Sequence, residues 1–454
     1  MAIRMTLRSR LSALWDNLRT SFWFVPTLMA VGAFLAWIAL QGADARLRLS
    51  ESDGAGLIYS GGPDGAWELL SVVAASMITV TGVTFSITIV ALVLASQQFG
   101  PFLLRDFMRD TGNQVVLGTF IATFLFCLLT LGIIRGSGGS AYVPRLCVST
   151  AMLLTIASLG VLIFFIHHVA NFIQTHNILW VVSADLQQAV DCLFPEPIGR
   201  CAGASLDRTL PETVESEAGT VLSKGYGYIK VIDEEILMKT AVEHDLVVRL
   251  EVRPGAFIGE GDGIASVWPK ASLNAEVEKA TNDSVVLASN PTAAQDVEFI
   301  MNQMVEMAVR ALSPGINDPF TAMNSIDLLG QGLRRVAGRE IPSPVRLARD
   351  GRPRVITVGA TFPELLDCAF DQIRHYGRSS VPVLRRIAAT LGSIASHVVR
   401  EEDRQALTRH VHLLREAGCE GVPEPAGRAE VEKACSAALE ALTITRAIGG
   451  AHDA

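Results

Sequence analysis

Four long apolar runs occupy the first third of this chain, and they restrict the fold more than any other feature. They cover residues 22–40, 69–94, 115–134 and 143–166. A helix needs about 20 predominantly apolar residues to cross the hydrocarbon core of a bilayer. Each run therefore predicts a transmembrane helix, and the second, at roughly 26 residues, is long enough to cross with some tilt.

The second run carries many hydroxyl side chains for a segment that would be surrounded by lipid. At about 100° per residue, Thr81, Thr84 and Thr88 share one stripe of the helix, which Ala91 and Ala95 extend. Such a stripe indicates a face turned to water or protein, and we interpret it as the lining of a pore. The alternative is helix packing, because small and hydroxyl residues are common where membrane helices meet. A second, roughly opposite stripe consists of Ser76, Thr79 and Ser86.

The arginine-rich N-terminus sets the predicted orientation. Residues 1–20 contain Arg4, Arg8, Arg10 and Arg19 against a single acid, and their apolar spacing predicts an amphipathic helix on the cytoplasmic membrane surface. The positive-inside rule places the N-terminus in the cytoplasm, and four spans return the C-terminus to the same side. We therefore expect a multi-pass protein of the bacterial inner membrane.

The first run also has features of a signal peptide, because residues 43–45 have the small-x-small form of a cleavage site. The run is longer than an ordinary signal-peptide core and contains Trp23, Pro26 and Trp37. We therefore favour a retained span over cleavage. Under either interpretation the second run enters the membrane from the same side.

Polar and charged residues follow the second and fourth runs on the side predicted to be cytoplasmic. The Gly-Pro pair directly after the second run predicts a bend that can act as a gate. The predicted mouth or gate consists of Gln97, Gln98, Gly100, Pro101, Arg105, Arg109, His167 and His168. For the two histidines, a metal or proton site with Asn171 and His176 stands against simple solvation at the membrane surface.

The fourth run passes into polar sequence without a Gly or Pro. This predicts one continuous helix that leaves the membrane and reaches to about Leu193, where Pro195 and Pro197 end it. The first 194 residues are thus expected to hold the N-terminal helix and, over 21–194, a four-helix transmembrane domain with an extended last helix.

The remaining sequence is charged and divides by pattern. Residues 195–216 are predicted to be a linker, 217–270 alternate like strands between glycine-rich turns, and 271–417 have helical periodicity. Residues 418–454 are predicted to be a flexible C-terminal extension, which can still carry one helix. The predicted fold is an α-helical membrane protein with four transmembrane helices and a cytosolic α+β module, in which a small β-rich unit precedes a helical bundle.

A tight loop around residues 313–319 is the best candidate for a ligand site outside the membrane. Its Pro-Gly turn leads into a helix start at Asp318, where free backbone N–H groups suit an anion or a carbonyl ligand. The candidate side chains are Ser313, Asn317, Asp318, Glu306 and Arg310. The alternative is an interhelical turn with an Asp-Pro cap, which needs no ligand.

Composition and motifs weigh against several functional classes. The net charge of −8 argues against nucleic acid as a partner, because phosphate binding needs a basic surface. Seven cysteines are scattered without a CxxC pair, so neither a disulfide framework nor a zinc site is expected. No HExxH, GxSxG or GxxxxGK[ST] motif is present. We therefore expect no enzyme activity, no metal and no cofactor.

Several blocks of the sequence resemble one known family. Residues 81–124 (TGVTFSITIVALVLASQQFG and onward), 157–170 (ASLGVLIFFIHHVA) and 310–322 (RALSPGINDPFTA) are similar to signature blocks of a bacterial family of predicted membrane proteins, domain of unknown function 2254. The segments GYIKVID (227–233) and VRLEVRPGAFIGEG (248–261) also fit. The likeness covers roughly residues 10–415, with departures at Ile300 and Glu306. It implies four spans and a cytosolic module, and it implies no particular activity.

Two functions from different classes remain. The first is an oligomeric ion channel or passive pore, lined by the second span and regulated by the cytosolic module. It would involve membrane lipid, further copies of this chain and a small ion. The spans contain essentially no charged residue, which favours passive passage over coupled transport. The second is a membrane-anchored sensor or scaffold, whose cytosolic module binds a ligand or partner without transport.

Overall fold

A computed structural model describes residues 23–47, 59–99, 110–135, 142–172, 175–194, 218–291 and 295–449 of the chain. The chain divides into two compact units, Met1–Gln174 and Thr175–Ala454. The division falls just after the fourth apolar helix, so the membrane-type sequence and the polar sequence form separate units.

The first unit contains four long helices. They are α1 (Phe24–Leu47), α2 (Pro63–Phe99), α3 (Thr111–Leu131) and α4 (Arg145–Phe172). All four are long and apolar enough to cross a membrane, which confirms the prediction of four apolar spans. The amphipathic helix predicted for residues 1–20 lies outside the described residues.

Helix α3 is the most buried of the four, with half of its apolar span covered by the rest of the unit. Its Gly118 allows α1 to approach closely, since a Cβ at this position would lie 2.5 Å from the sulfur atom of Met29. Towards α4, the hydroxyls of Thr123 and Ser158 are buried and share a hydrogen bond of 3.0 Å. Small and hydroxyl residues at such contacts are the usual means by which membrane helices pack.

The second unit begins with α5 (Thr175–Leu193) and continues as a mixed α/β structure. Its strands are β1 (Gly219–Leu222), β2 (Gly227–Ile232), β3 (Val247–Leu250), β4 (Phe257–Ile258), β5 (Gly263–Trp268), β6 (Val285–Ala288), β7 (Val345–Leu347) and β8 (Pro353–Ile356). Its further helices are α6 (Glu234–Glu243), α7 (Ala275–Ser284), α8 (Val297–Ala311), α9 (Pro319–Ala337), α10 (Phe362–Tyr376), α11 (Val381–Ala395), α12 (Glu401–Gly421) and α13 (Pro425–Gly449). A short 3₁₀ helix covers Lys270–Ser272.

The described strands form two sheets. The larger has the order β1-β5-β3-β8-β7, in which β3 and β8 are parallel and the other neighbours are antiparallel. The smaller has the order β4-β2-β6 and is antiparallel. Because β6, β7 and β8 come from later sequence, the β-rich unit predicted for residues 217–270 is incomplete by itself. The predicted boundary at residue 270 does not separate a β domain from a helical one.

Several helices of the second unit begin at side-chain caps that can be recognised in the sequence. Asp233 caps α6, Asp296 caps α8 and Asp318 caps α9, each through a carboxylate that accepts backbone N–H groups of the first turn. At α10, Thr361 and Glu364 form a reciprocal capping box. These caps satisfy N–H groups that have no partner within the helix, so the starts of these helices are set locally.

Within the C-terminal extension predicted for residues 418–454, residues 425–449 form α13, the one helix that the prediction allowed, and one face of this helix is buried rather than loose. Val431, Cys435, Ala438 and Leu442 recur at helical spacing and are buried. The contact with α11 is close, because a Cβ at Gly392 would lie 3.3 Å from the Cα atom of Ala438. The apolar stripe is narrow, and this explains why the surrounding charged and alanine-rich sequence suggested a loose tail.

Helix α5 is held against α9 by two arginines. Nη1 of Arg339 donates to the carbonyl oxygens of Val190 at 3.2 Å and Phe194 at 2.8 Å, and its Nη2 lies 2.6 Å from Oδ1 of Asp191. Arg335 lies 3.3 Å from the same Asp191 oxygen. These contacts supply partners for carbonyl groups that the end of a helix leaves unpaired. The helix predicted to continue from the fourth span to about Leu193 consists of two described helices, α4 and α5. Residues 173–174, between them, lie outside the described residues.

Candidate functional site

The threonine stripe predicted to line a pore is buried inside the first unit. Thr81, Thr84 and Thr88 are 9%, 3% and 4% exposed, and Ala91 is 3% exposed. Ala91 belongs to an apolar cluster that α2 shares with α3 and α4. The stripe is therefore a packing face within one chain, and helix packing, the alternative interpretation, accounts for its hydroxyls. The side chain of Ala95 lies outside the described part.

The opposite stripe of α2 is exposed, and its hydroxyls are satisfied within the helix. Ser76, Thr79 and Ser86 each donate to the carbonyl oxygen four residues earlier, at 2.8, 2.9 and 2.9 Å. A hydroxyl bonded in this way can face lipid without leaving an unpaired donor. Neither stripe of α2 therefore requires water beside it.

Four of the eight residues of the predicted mouth or gate lie outside the described residues. These are Gly100, Pro101, Arg105 and Arg109. Gln97 is exposed near the end of α2, and Gln98 is described only as part of the helical backbone. The gate at this point of the chain therefore stays a prediction.

His168 pairs with a partner that sequence reasoning did not assign to it. Its Nε2 lies 2.5 Å from Oδ2 of Asp110, and Asp110 also caps α3 by accepting the N–H groups of Gly112 and Asn113. The neighbouring His167 is exposed. The side chains of the other predicted partners, Asn171 and His176, lie outside the described part, so a histidine cluster is left without support.

The loop between α8 and α9 uses its predicted ligand groups in local contacts. The carboxylate of Asp318 accepts the backbone N–H groups of Phe320 at 3.1 Å and Thr321 at 3.2 Å, and the Thr321 hydroxyl at 2.6 Å. Both carboxylate oxygens are therefore occupied. This is the arrangement of an Asp-Pro helix cap, the alternative that the sequence left open.

The other four predicted side chains of this loop also fit a turn. Glu306 and Arg310 form an i, i+4 ion pair with a shortest distance of 2.7 Å. The carbonyl oxygen of Ser313 accepts the N–H of Asn317 at 2.8 Å, and Asn317 itself is exposed with a φ of 50°. Asparagine tolerates this left-handed conformation, so the sequence of the loop is explained by its shape.

A cavity of about 190 Å³ lies within the second unit, where α5, the β-strands and α8 meet. Most of its wall is apolar, formed by Leu193, Phe194, Ile232, Leu250, Val252, Pro254, Val297, Ile341, Pro342, Pro344, Val358, Gly359 and Ala360. Its polar wall consists of Glu234, Arg253, Gln295, Asp296, Glu298, Arg346 and Thr357. A concave apolar site with a few charged groups is the usual form of a small-molecule site.

Arg253 is the centre of an ion-pair network beside this cavity. Its Nη2 lies 2.9 Å from Oε1 of Glu298, and its Nη1 lies 3.0 Å from Oε2 of Glu364. The aligned hydrogen bond to Glu298 goes to Oε2 at 3.1 Å. Oε1 of Glu298 is buried and accepts no hydrogen bond from the described residues.

The turn that carries Arg253 is pressed against the start of α8. Gly255 has a φ of 88°, and a Cβ at this position would lie 2.0 Å from Oδ2 of Asp296. Only glycine fits here, both because of this clash and because the backbone is left-handed. The close approach brings Asp296 and Glu298 of α8 to the same side of the cavity as Arg253.

Burial changes the acidity of these carboxyl groups. It raises the pKa of Asp296 against the opposing effect of the Phe299 N–H, and it raises the pKa of Glu298 against the opposing effect of Arg253. The pKa of Glu364 is lowered, since hydrogen bonds from Thr361 and the charge of Arg253 outweigh its burial. Two raised carboxyl pKa values beside a cavity mark a candidate functional site.

Comparisons with known proteins identify the family. A family described as "Predicted membrane protein (DUF2254)" matches residues 19–393, most of the chain. The chain belongs to the DUF2254 family. Uncharacterised proteins of Mycobacterium tuberculosis and Mycobacterium bovis are 29% identical to it over 451 residues, covering 96% of this chain and 84% of theirs. No solved structure matches.

The cavity was missed by the sequence analysis, although part of it lies in a recognised block. The DUF2254 segment over 248–261 contains Arg253 and Gly255, but its glycines were interpreted only as hairpin corners. Asp296, the N-cap of α8, was not singled out from the sequence. The contact of the Arg253–Gly255 turn with the start of α8 could not be predicted, because the two segments are far apart in the sequence and no periodicity links a turn to a distant helix start.

One further cluster in this DUF2254 chain has the residue types of a metal site. Ligand atoms of Asp367, Asp371 and His410 lie within 4.8 Å of one another. However, Asp367 is already paired with Arg409 at 2.5 Å and His410 at 2.6 Å, and Asp371 with Arg374 at 3.1 Å. Two guanidinium groups at the carboxylates oppose a cation, so the cluster is explained as an ion-pair network.

Proposed function

We propose that this DUF2254 protein is a membrane-anchored sensor, in which the cytosolic unit binds a small molecule in the cavity between α5, the β-strands and α8. The observation that carries the proposal is the composition of the cavity wall. Leu193 and Phe194, at the end of α5, line the same cavity as Arg253 and Glu298. A bound molecule would therefore contact the helix that follows the fourth span in the chain.

The anchoring of α5 supports a role in signal transfer. Arg339 is only 9% exposed and bonds the last carbonyl groups of α5, and Ile341 and Pro342, two and three residues further on, line the cavity. A ligand that shifts the segment around Ile341 and Pro342 would directly affect the hydrogen bonds between Arg339 and α5. A ligand shifts such an equilibrium only through a difference in its contacts with the two states.

The pore hypothesis has lost the feature on which it was based. It required the face with Thr84 to meet water, and that face is packed inside one chain. The exposed hydroxyls of α2 are bonded to their own helix. For these reasons we favour the sensor over the channel.

The experiment uses full-length protein in lipid nanodiscs and three probes of the size of the cavity: benzylamine, benzyl alcohol and benzoate. Gly359 lines the cavity, and a Cβ there meets no atom within 4 Å. Gly359→Phe should fill the cavity, and Gly359→Ala is the matched control. We expect at least one probe to raise the unfolding temperature and slow hydrogen exchange in residues 187–194 of the wild type and Gly359→Ala, with no effect on Gly359→Phe.

Two outcomes would overturn the sensor. One is that none of the three probes changes either measurement, or that the response survives in Gly359→Phe. The other is that reconstituted vesicles pass ions at a rate that Gly359→Phe leaves unchanged, which would return the pore to first place.

A further inference from the structure

The cavity has an excess of acidic groups, which bears on the kind of molecule it holds. The charged residues of its wall are Arg253, Arg346, Glu234, Asp296 and Glu298. Glu364 adds a further carboxylate, bonded to Arg253. With all four carboxyls ionised, the site carries two more negative than positive charges.

Both arginines of the wall are already engaged. Arg253 uses one terminal nitrogen on Glu298 and the other on Glu364. Nε of Arg346 lies 3.2 Å from Oε2 of Glu234. An anionic ligand would have to displace a carboxylate from a guanidinium group and would bring further negative charge into an acidic site. Such a site disfavours anions.

Two carboxylates of the cavity wall, those of Glu298 and Asp296, have fewer hydrogen-bond donors or cationic partners than a buried carboxylate needs. Oε1 of Glu298 is buried and lies 2.9 Å from Nη2 of Arg253, but that nitrogen directs its aligned hydrogen bond to Oε2, so Oε1 has an ion pair and no aligned hydrogen bond among the described residues. Asp296 is bonded to the N–H of Phe299 and has no ion pair within the described part of the chain. A buried acceptor without a donor is costly, and a donor that carries positive charge compensates it best.

From this arrangement we infer that the ligand is a small organic cation, such as a protonated amine on an apolar body. The inference rests on the proposed function of the cavity. The ammonium group donates hydrogen bonds to Glu298 and Asp296, and the apolar body lies against the wall formed by Val252, Val358 and Ile341. The volume limits the body to the size of one small ring, because an apolar cavity of about 150 Å³ holds a benzene molecule.

Ionisation of the two acids is linked to this binding. Burial raises the pKa of Asp296 and Glu298, and a neighbouring cation lowers it again. Binding of an amine should therefore release protons to the buffer at mildly acidic pH. A neutral molecule of the same shape should release none.

The test compares the same three probes, which share a ring and differ in charge. Affinity is measured by titration calorimetry on full-length protein in nanodiscs. We expect benzylamine to bind at least about tenfold more tightly than benzyl alcohol, and benzoate to bind more weakly than either; tenfold corresponds to about 1.4 kcal/mol. Proton release is measured by repeating the benzylamine titration in buffers of different ionisation enthalpy.

The variant Glu298→Gln tests the acceptor directly. It should weaken benzylamine about tenfold and leave benzyl alcohol within about twofold. Glu235→Gln is the matched control, because this acid of α6 is exposed and does not line the cavity; it should leave benzylamine within about threefold. Asp296→Asn gives a second test of the same acidic wall, should Glu298→Gln fail to fold.

The outcomes separate this inference from the proposed function. If benzyl alcohol or benzoate binds as tightly as benzylamine, and Gly359→Phe abolishes that binding, the cavity is a ligand site and the cationic class is wrong. If benzylamine binds best but Glu298→Gln and Asp296→Asn do not weaken it, the acidic wall is not its receptor and the inference fails. If none of the probes binds, the proposed function and the inference fall together.

Discussion

Asp44 accepts a hydrogen bond of 3.2 Å from the backbone N–H of Cys147, so a carboxylate near the end of α1 caps the first turn of α4. A second bond, of 3.0 Å, comes from the N–H of Leu146. The first and last helices of the membrane-type unit are therefore joined through one side chain, 6% exposed. A carboxylate at a helix start also interacts favourably with the helix dipole.

Replacing Asp44 should weaken this unit. Asp44→Ala should lower the free energy of unfolding by about 1–2 kcal/mol, since it removes a cap and leaves two N–H groups unpaired. Asp44→Asn should cost less, because the amide oxygen still accepts. The measurement is thermal unfolding in detergent. Glu68→Ala, at an exposed acid of α2, is the control and should change little; equal losses at both positions would refute the capping role.

The buried threonine face gives a direct contrast with the pore interpretation. A pore lining would accept Thr84→Trp and lose ion flux while the protein still assembled. Because Thr84 is 3% exposed, the indole instead has no space, and overpacking of this kind costs about 1–3 kcal/mol or more. We expect a lower yield of folded protein and a lower unfolding temperature. Ser86→Trp, on the exposed face, should fold normally; a normally folded Thr84→Trp would contradict the packing.

The contribution of the Arg339 contacts with α5 to the stability of the second unit should be measurable. Arg339→Ala should destabilise the unit by about 2–3 kcal/mol, because it leaves buried carbonyl groups without donors. It should also speed hydrogen exchange at the end of α5. Arg335→Ala removes a contact with the same Asp191 from a more exposed position and should cost less than about 1 kcal/mol. An unchanged exchange rate in Arg339→Ala would exclude this anchor.

The cysteines should differ sharply in reactivity. Burial raises the pKa of the Cys368 thiol to about 12, and the thiolate is the reactive form. Cys192 and Cys419 are exposed. Iodoacetamide at neutral pH should therefore alkylate Cys192 and Cys419 in the folded protein and reach Cys368 only after unfolding, as peptide mass spectrometry would show. Rapid labelling of Cys368 in the native state would mean that α8 and α10 open at this point.

The stability of the second unit should respond to the ionisation of Glu298. Burial raises its pKa above the ordinary value of 4.5, so the folded state holds the proton more tightly than the unfolded chain. The stabilising effect of the protonated form is complete below the ordinary pKa and is lost as the pH rises through the raised one. The difference in unfolding free energy between wild type and Glu298→Gln should therefore change over mildly acidic pH, as urea titrations would measure. A constant difference would show that folding does not raise the pKa of this acid.

Local signals in the sequence predicted the fold better than they predicted the site. Asp318 and Pro319 start α9 as expected, because a cap and a helical first turn depend on neighbouring residues only. The four spans follow from length and polarity in the same way. Thr84 shows the limit of this reasoning, since a hydroxyl stripe has the same pattern whether water or another helix lies beside it.

The cavity shows a second limit. Arg253, Glu298 and Glu364 come from three segments whose contacts depend on the complete fold, and no spacing in the sequence connects them. The packing of α13 was missed for a related reason: Val431 and Cys435 are buried only because α11 and α12 offer a matching surface. Composition alone described that segment as polar.

The parallel pairing of β3 with β8 has a consequence for how the protein is made. Val248 pairs with Val355. The edge of β3 that binds β8 therefore has no partner until the ribosome has synthesised about 100 further residues. At a synthesis rate of about 5–20 residues per second, the wait lasts roughly 5–20 s. During this interval the nascent chain exposes an unpaired apolar strand edge, a surface prone to aggregation on which a chaperone would act.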